Sequence, residues 1–320
     1  WRTSVMPNFN GVWSLTTQLQ YRSDWPVFFQ PRGLFFGGEN SSGNYDDVID
    51  FIDITTAGNA SDFGNLSVAK KSAASVSSKE RAVVAAGNEG GNAINVMEYV
   101  TIASTGNVTD FGDLSTTAQE SVGTGNNERG LISLGQAGGA SDTIEYITIE
   151  NTGNSTDFGN LTVARGYGQD SAVSSPTRGI FSGGYSSSAV NTIDYVTIAS
   201  TGDATDFGDL TVTRYGMGGA SSSTRGVFGG GHTSGNTIDY ITIASTGNAQ
   251  DFGDLNYQPR YVSGTSNGTR GVFGGGQLSS TRYNTIDFIT IASTGNASDF
   301  GDLTVARNSV TATSGSHGGL

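Results

Sequence analysis

The chain has 320 residues, including 48 Gly, 5 Pro and no Cys, and its 16 Lys and Arg against 29 Asp and Glu give a net charge of −13. That charge repels nucleic acid and anionic membranes, because phosphate binding needs Lys and Arg to displace counterions, so neither is an expected partner. The absence of cysteine rules out disulfides, thiolate metal sites and thiol nucleophiles. No apolar run approaches the roughly 18 residues of a membrane span, so no membrane insertion is expected. Glycine lacks the three-residue period of collagen, and regular runs of Ile, Val, Tyr and Phe argue against disorder.

Residues 1–30 stand apart, since Trp1, Trp13 and Trp25 are all the tryptophans of the chain. Gly11-Val12-Trp13-Ser14-Leu15 leads into a short expected helix capped by Ser14, with Leu15, Leu19 and Tyr21 on one face. The segment reads either as packing on the main domain or as a connector that anchors the chain to a larger assembly through exposed aromatics. Trp1 in place of Met points to processing or to a longer polypeptide.

From residue 31 the chain repeats. The motif Arg, Gly, apolar residues, glycines recurs at Arg32, Arg81, Arg129, Arg178, Arg225 and Arg270, with gaps of 49, 48, 49, 47 and 45 residues. An acidic–aromatic step follows at Asp50, Glu98, Glu145, Asp194, Asp239 and Asp287, and an Asp-Phe-Gly begins 12 residues after each. Self-similarity at this period signals a repeat architecture. The Arg-Gly-apolar piece reads as one strand, b. The β-branched and aromatic Thr-Ile-Asp-Tyr-Ile-Thr-Ile piece reads as a buried strand c. Ser-Thr-Gly-Asn is a turn, Asp-Phe-Gly-Asp-Leu-Thr-Val is strand d, and the Ser-, Gly- and Ala-rich interval before the next arginine is strand a.

Four strands per unit of about 48 residues fit a β-propeller blade. Small residues suit strand a because innermost strands converge on the axis. The first unit has no such strand before it, while Asn308 to Ser316 forms a surplus one after the last unit. The expectation is therefore an all-β, six-bladed propeller over residues 31–320, with the C-terminal strand completing blade 1 and removing exposed sheet edges.

The unit resembles a kelch repeat: Gly183-Gly184, then Tyr195, then Phe207 with Leu210, then Arg214 follow that family's order. Phe stands where kelch repeats usually carry Trp, and the trailing arginine of Arg165, Arg214, Arg260 and Arg307 gives way to Lys70 and Ala118 in the first two units. The Gly-, Ser- and Thr-rich texture is similar to propeller proteins of tailed, especially marine, bacteriophages. That resemblance implies a virion component such as a tail fibre, adhesin or decoration, located on the virion surface or extracellularly. Its partners would be other virion proteins through residues 1–30 and a host surface glycan or protein, with homo-oligomers left open.

The recurring arginines and carboxylates read as structural pairs within or between blades. The alternative, a sialidase-like arginine cluster, would single out a few non-equivalent positions rather than every blade, and fold analogy alone supplies no activity. The copper chemistry of galactose oxidase, the kelch-type enzyme, needs a Tyr–Cys crosslink and histidine ligands, and this chain offers only His232 and His317. Catalytic residues, cofactors and metals are accordingly expected to be none. Calcium at the Asp- and Asn-rich turns lacks EF-hand spacing, and Asx-turns account for the same residues. Asp-Phe-Gly also occurs in kinases but here lacks every other kinase element.

Variation marks the working surface. From the last glycine of strand b to the acidic residue of strand c the units count 12, 11, 10, 10, 8 and 11 residues. Binding residues favour such loops. The candidates are Asn44, Tyr45, Asp46, Asn92, Asn95, Tyr185, His232, Arg282 and Tyr283, with neutral drift of solvated loops as the opposing reading.

Overall fold

A computed structural model of the chain describes residues 31–166, 171–233 and 235–320. The helix expected after Ser14 and the anchoring role of residues 1–30 lie outside the described residues. Residues 31–320 form six antiparallel sheets in a ring, a six-bladed β-propeller. Blade 1 has the order Thr311–Ser314, Arg32–Phe36, Val48–Asp53, Ser61–Asn65. The C-terminal strand supplies its strand a, pairing Phe35 with Ala312 and Leu34 with Thr313. Chain order and ring order coincide in blades 2 to 6, whose a strands are Ala74–Ser77, Val122–Gly125, Ala172–Ser174, Gly218–Ser221 and Ser263–Ser266. Blade 2 extends its c strand, Asn92–Thr101, into a small hairpin with Asn88–Glu89.

The small residues of strand a have the expected cause. A Cβ on Gly264 would fall 2.5 Å from the Gly219 carbonyl oxygen of the neighbouring blade, closer than real Cβ atoms approach backbone. Apolar residues divide into clusters that each straddle a blade boundary. One joins Leu34, Ile49, Phe63 and Leu66 of blade 1 to Ala82, Val84 and Val100 of blade 2, and another joins Val272 and Phe300 of blade 6 to Phe35 and Ile52 of blade 1. Burial therefore rewards neighbouring blades rather than each sheet alone.

The constant 12-residue spacing is the register of a bulged hairpin. In blade 1, Asp50 pairs with Asp62 and Ile49 with Gly64, leaving Phe63 as the extra residue; every blade shifts register at the same step. The bulge sends the phenylalanine ring inward, where it meets the strand-c aromatic edge-on, as in Tyr240–Phe252 at 6.0 Å. The glycine after it takes φ between +141° and +152° and lies against the Gly-Asn turn of the next blade, which is Gly202-Asp203 in blade 4. At Gly253 an added Cβ would sit 2.5 Å from the Gly295 carbonyl oxygen, so the position requires glycine on both conformation and space.

The expected pairing of Arg32, Arg81, Arg129, Arg178, Arg225 and Arg270 with the strand-c carboxylates is not what the structure contains. Arg32 lies opposite Asp53 and Asp50 opposite Phe35, an odd offset that sends the two side chains to opposite faces of the sheet. Arg32 Nη1 instead donates to the Ile102 carbonyl of blade 2 at 2.9 Å, and its guanidinium covers the Phe51 ring at 4.8 Å. The other five arginines repeat both contacts, ending with Arg270 on the Thr55 carbonyl of blade 1.

The carboxylates face the preceding blade. Its d–a connection supplies the cation: Arg307 to Asp50 at 2.8 Å, Lys70 to Glu98 at 3.3 Å, Arg165 to Asp194 and Arg214 to Asp239, each at 2.9 Å. The residue three positions earlier adds hydrogen bonds, such as Thr211 Oγ1 to Asp239 Oδ1 at 2.7 Å. Burial pulls the Arg214 guanidinium and the Lys70 ammonium below their usual ranges, and Asp239 and Glu98 oppose that pull. Glu145 faces Ala118 and takes hydroxyls from Ser115 and Ser155 instead.

Arg260 does not fill the equivalent slot, contrary to its reading as the trailing arginine. Pro259 stands there, four residues after Leu255 as Arg214 is after Leu210. Tyr257 substitutes from two positions earlier: its hydroxyl reaches the Gly275 and Thr285 carbonyls, the counterparts of the Gly230 and Thr237 oxygens bound by Arg214. Among the described residues the Asp287 side chain is left with hydrogen bonds from Asn256 alone, and burial raises its pKa, with Asn256 acting against the rise and Asp299 adding to it.

Candidate functional site

Antiparallel alternation puts the b–c loops and d–a connections at one end of the propeller and the a–b and c–d turns at the other. At the loop end the residue after each cation slot bridges to the residue following the strand-b glycines. The pairs are Lys71 with Asn88, Gln119 with Gln136, Gly166 with Tyr185, Tyr215 with His232, Arg260 with Gln277, and Asn308 with Glu39. These rungs surround the axis. One residue further on, backbone hydrogen bonds link blade to blade: Glu120 N to Ser72 O at 2.8 Å, Ser72 N to Ser309 O at 2.9 Å, Ser309 N to Tyr261 O at 3.1 Å, Tyr261 N to Gly216 O at 2.8 Å. All five residues hold φ between +53° and +68°, and at the four that are not glycine this is a cost the surrounding ring must offset.

The rungs carry different side chains on identical backbone. On one side Tyr215 and His232 stack at 4.7 Å with planes 9° apart, and Tyr185 meets Tyr215 edge-on at 5.4 Å. Burial, with Arg260 nearby, lowers the His232 pKa, so the imidazole is neutral at pH 7. On the other side Glu39 holds both Lys71 and Arg282, and Lys71 lies over the Tyr45 ring at 4.7 Å. Amides fill the gaps, with Asn88 donating to Gln119 and Asn308 Nδ2 to Gln277 Oε1 at 2.5 Å.

The nine loop residues singled out from sequence therefore divide. Tyr185 and His232 come together through Tyr215, while Tyr45 and Arg282 come together through Glu39 and Lys71. Asn40 Nδ2 donates to Asp46 Oδ1 at 3.0 Å in the loop where Asn44 is exposed. Asn92 is exposed on the blade 2 hairpin, away from these clusters. Asn95 and Tyr283 belong to the scaffold, through Nδ2 to the Leu114 carbonyl at 3.4 Å and a 5.2 Å ring contact with Tyr257. The d–a residues Lys71, Gln119, Tyr215, Arg260 and Asn308 were missed. Their signal is a position that changes in every unit beside one that is mostly Arg or Lys.

Strands a surround an axial cavity of about 40 Å³ lined by Ser75, Thr124, Ser174, Ser221, Thr265 and other small residues. Ligand pockets start near 300 Å³, and this space suits water. No described residue lining it is a carboxylate, and the described residues contain no metal-binding cluster.

At the turn end, residues 315–320 continue from the closing strand and cross the axis. His317 Nε2 meets the Ser77 carbonyl of blade 2 at 3.3 Å and Nδ1 the Ser174 hydroxyl of blade 4 at 3.5 Å, while Gly319 N donates to Nδ1 at 3.1 Å. Gly318 lies against Ser221 and Ser222 of blade 5. This plug holds a neutral imidazole: burial lowers its pKa from 6.5 to about 4, partly opposed by the Ser77 carbonyl. With a folded pKa below the unfolded one, the stability is present above pH 6.5 and lost as pH falls toward 4. The difference is at most about 3 kcal/mol, because the ring keeps some exposure. Denaturant unfolding across pH 4 to 7 should show this loss, and His317→Gln should flatten it.

Fold and site together define a six-bladed propeller with a uniform, locked scaffold, a plugged turn face and a varied loop face. No family model matches the chain, and no curated protein matches it in sequence.

Proposed function

We propose that this protein is a non-enzymatic structural and binding module that presents its loop face to a protein or glycan partner. The observation that carries the reading is the ring of six equivalent rungs, where one backbone displays a tyrosine–histidine stack, an ion-paired cluster and amides in turn. A scaffold role alone gives no reason for this diversity beside arginine staples that recur in every blade. The Gly-, Ser- and Thr-rich texture favours a virion component of a tailed bacteriophage, on the virion surface, joined to other virion proteins through residues 1–30. A carbohydrate-active enzyme is the second reading; the axial cavity, small and without a described carboxylate, weighs against it.

The test has two arms. Mass spectrometry of purified particles should find the chain, whereas recovery with cytosolic partners alone would favour an intracellular scaffold. Tyr45→Ala combined with Tyr185→Ala should reduce adsorption of the isolated protein to host cells several-fold, while glycan substrates are left unhydrolysed.

A further inference from the structure

Arg260 is set apart from the other arginines of the d–a connections. Arg165, Arg214 and Arg307 turn into blade boundaries and neutralise a carboxylate. At the boundary of blades 5 and 6 Tyr257 performs that bridging and Pro259 occupies the slot, so Arg260 falls on the rung instead. It is half-buried, and its side chain makes no hydrogen bond or ion pair among the described residues. A partly desolvated guanidinium without a counter-charge, in a chain of net charge −13, is a site for an anion.

The neighbours specify the anion. Gln277 is opposite Arg260 on one side and Arg282 on the other, so three polar side chains stand in a row on one face of this small sheet. Glu39 neutralises one end of Arg282, whose Nε is buried without a partner. Beside the row, in blade 5, lies His232, stacked on Tyr215 and close enough for the Arg260 charge to lower its pKa. His232 is partly exposed, Tyr215 is the one ring stacked on its imidazole among the described residues, and its buried Nδ1 lacks a partner there.

We infer that Arg260, Gln277 and His232 form a binding site for a carboxylated sugar residue. This inference rests on the loop-face binding reading above. A carboxylate takes two parallel hydrogen bonds from a guanidinium. The pyranose C–H face packs on the imidazole as it does on other π-faces, and its hydroxyls take the amide of Gln277. Polyphosphates and nucleic acid are disfavoured, since Glu39 and the overall negative charge repel a dense polyanion while a single carboxylate is tolerated.

The experiment is ligand-observed NMR titration of the full chain with three probes: methyl β-glucuronide, the methyl α-glycoside of N-acetylneuraminic acid, and neutral methyl β-glucoside. At least one charged probe should bind about tenfold more tightly than the neutral one, the value of one charge-assisted contact. Whichever binds distinguishes a uronate from a sialic-acid source. Arg260→Gln should reduce that binding to the neutral level at an unchanged melting temperature, and Arg260→Lys should retain part of it. Lys79→Gln, on the opposite face, should leave it unchanged. Equal binding of charged and neutral probes overturns the carboxylate site but leaves glycan binding at the loop face intact. Binding that survives Arg260→Gln, or no sugar binding by a chain whose loop face still captures a protein, also overturns it.

Discussion

A chain that stops at Ser309 should fail to fold cooperatively. The deletion removes Thr311–Ser314 and leaves blade 1 with three strands and a bare inner edge on Arg32–Phe36. It takes Val310 and Ala312 from the core shared by blades 6 and 1, exposing Phe35, which is fully buried in the intact ring. Buried hydroxyl contacts to blade 2 go with it, including Thr311 to Ser75 at 2.9 Å and Thr313 to Ser77 at 2.7 Å. Burying one aliphatic side chain contributes about 1.5–3 kcal/mol, so losing a central strand exceeds about 5 kcal/mol, comparable with the whole stability of a domain. Thermal melting followed by circular dichroism should show no sharp transition, with aggregates on size exclusion through the freed edge. A peptide of residues 309–320 added during refolding should restore the transition. Removing only 316–320 should cost a few degrees, because it spares the closing strand. A truncated chain that melts as sharply as the full one would show that ring closure does not depend on this strand.

The closing strand was readable from the sequence because it is a matter of counting: one small-residue strand too few at the start and one too many at the end. Asp-Phe-Gly was equally readable as scaffold from its fixed spacing, whereas its bulge and the positive φ of its glycine emerge only from the strand register. What stayed hidden were contacts between blades, where partners lie some 30 residues apart or, at the seam, more than 250. Adjacent strands suggested that Arg32 belongs with Asp50, whereas strand alternation sends one toward blade 2 and the other toward blade 6. Arg260 looked like a trailing arginine by order, although the four-residue count from Leu255 already puts Pro259 in the slot, and the register of the rungs places Arg260 beside Gln277. The plug at 315–320 carried no repeat signal, since it occurs once. Length variation picked out the b–c loops, which lie at the end of the propeller that carries the rungs. It could not separate Tyr185 and His232, which join the aromatic cluster, from Asn95 and Tyr283, which support the scaffold.

Arg214→Met should destabilise the protein by about 3–5 kcal/mol, because it strands a fully buried carboxylate. Asp239 would keep its bonds from Thr211 Oγ1 and N but lose the Nη2 contact at 2.9 Å, and the Gly230, Thr237 and Phe228 carbonyls would lose the bonds that the guanidinium donates, Thr237 keeping its bond from Gly230 N. The double change Arg214→Met with Asp239→Leu should recover most of the loss, since a buried ion pair contributes little beyond what apolar packing supplies. The boundary of blades 5 and 6 already shows how the fold manages without the cation. There Asp287→Asn should be neutral or stabilising at pH 7, as the Asn256 side-chain amide can rotate to accept from the new donor. Burial raises the Asp287 pKa in the folded state, so its contribution is greatest below the unfolded value near 3.9 and declines as pH rises through the folded value. The asparagine variant should lack that decline, making it more stable than the parent near pH 7 and closest to it near pH 4. Urea unfolding of the three variants at pH 4, 5.5 and 7 measures all of this. A cost for Asp287→Asn as large as that for Arg214→Met would mean that the charge of Asp287 is itself needed, and that Tyr257 does not replace the arginine.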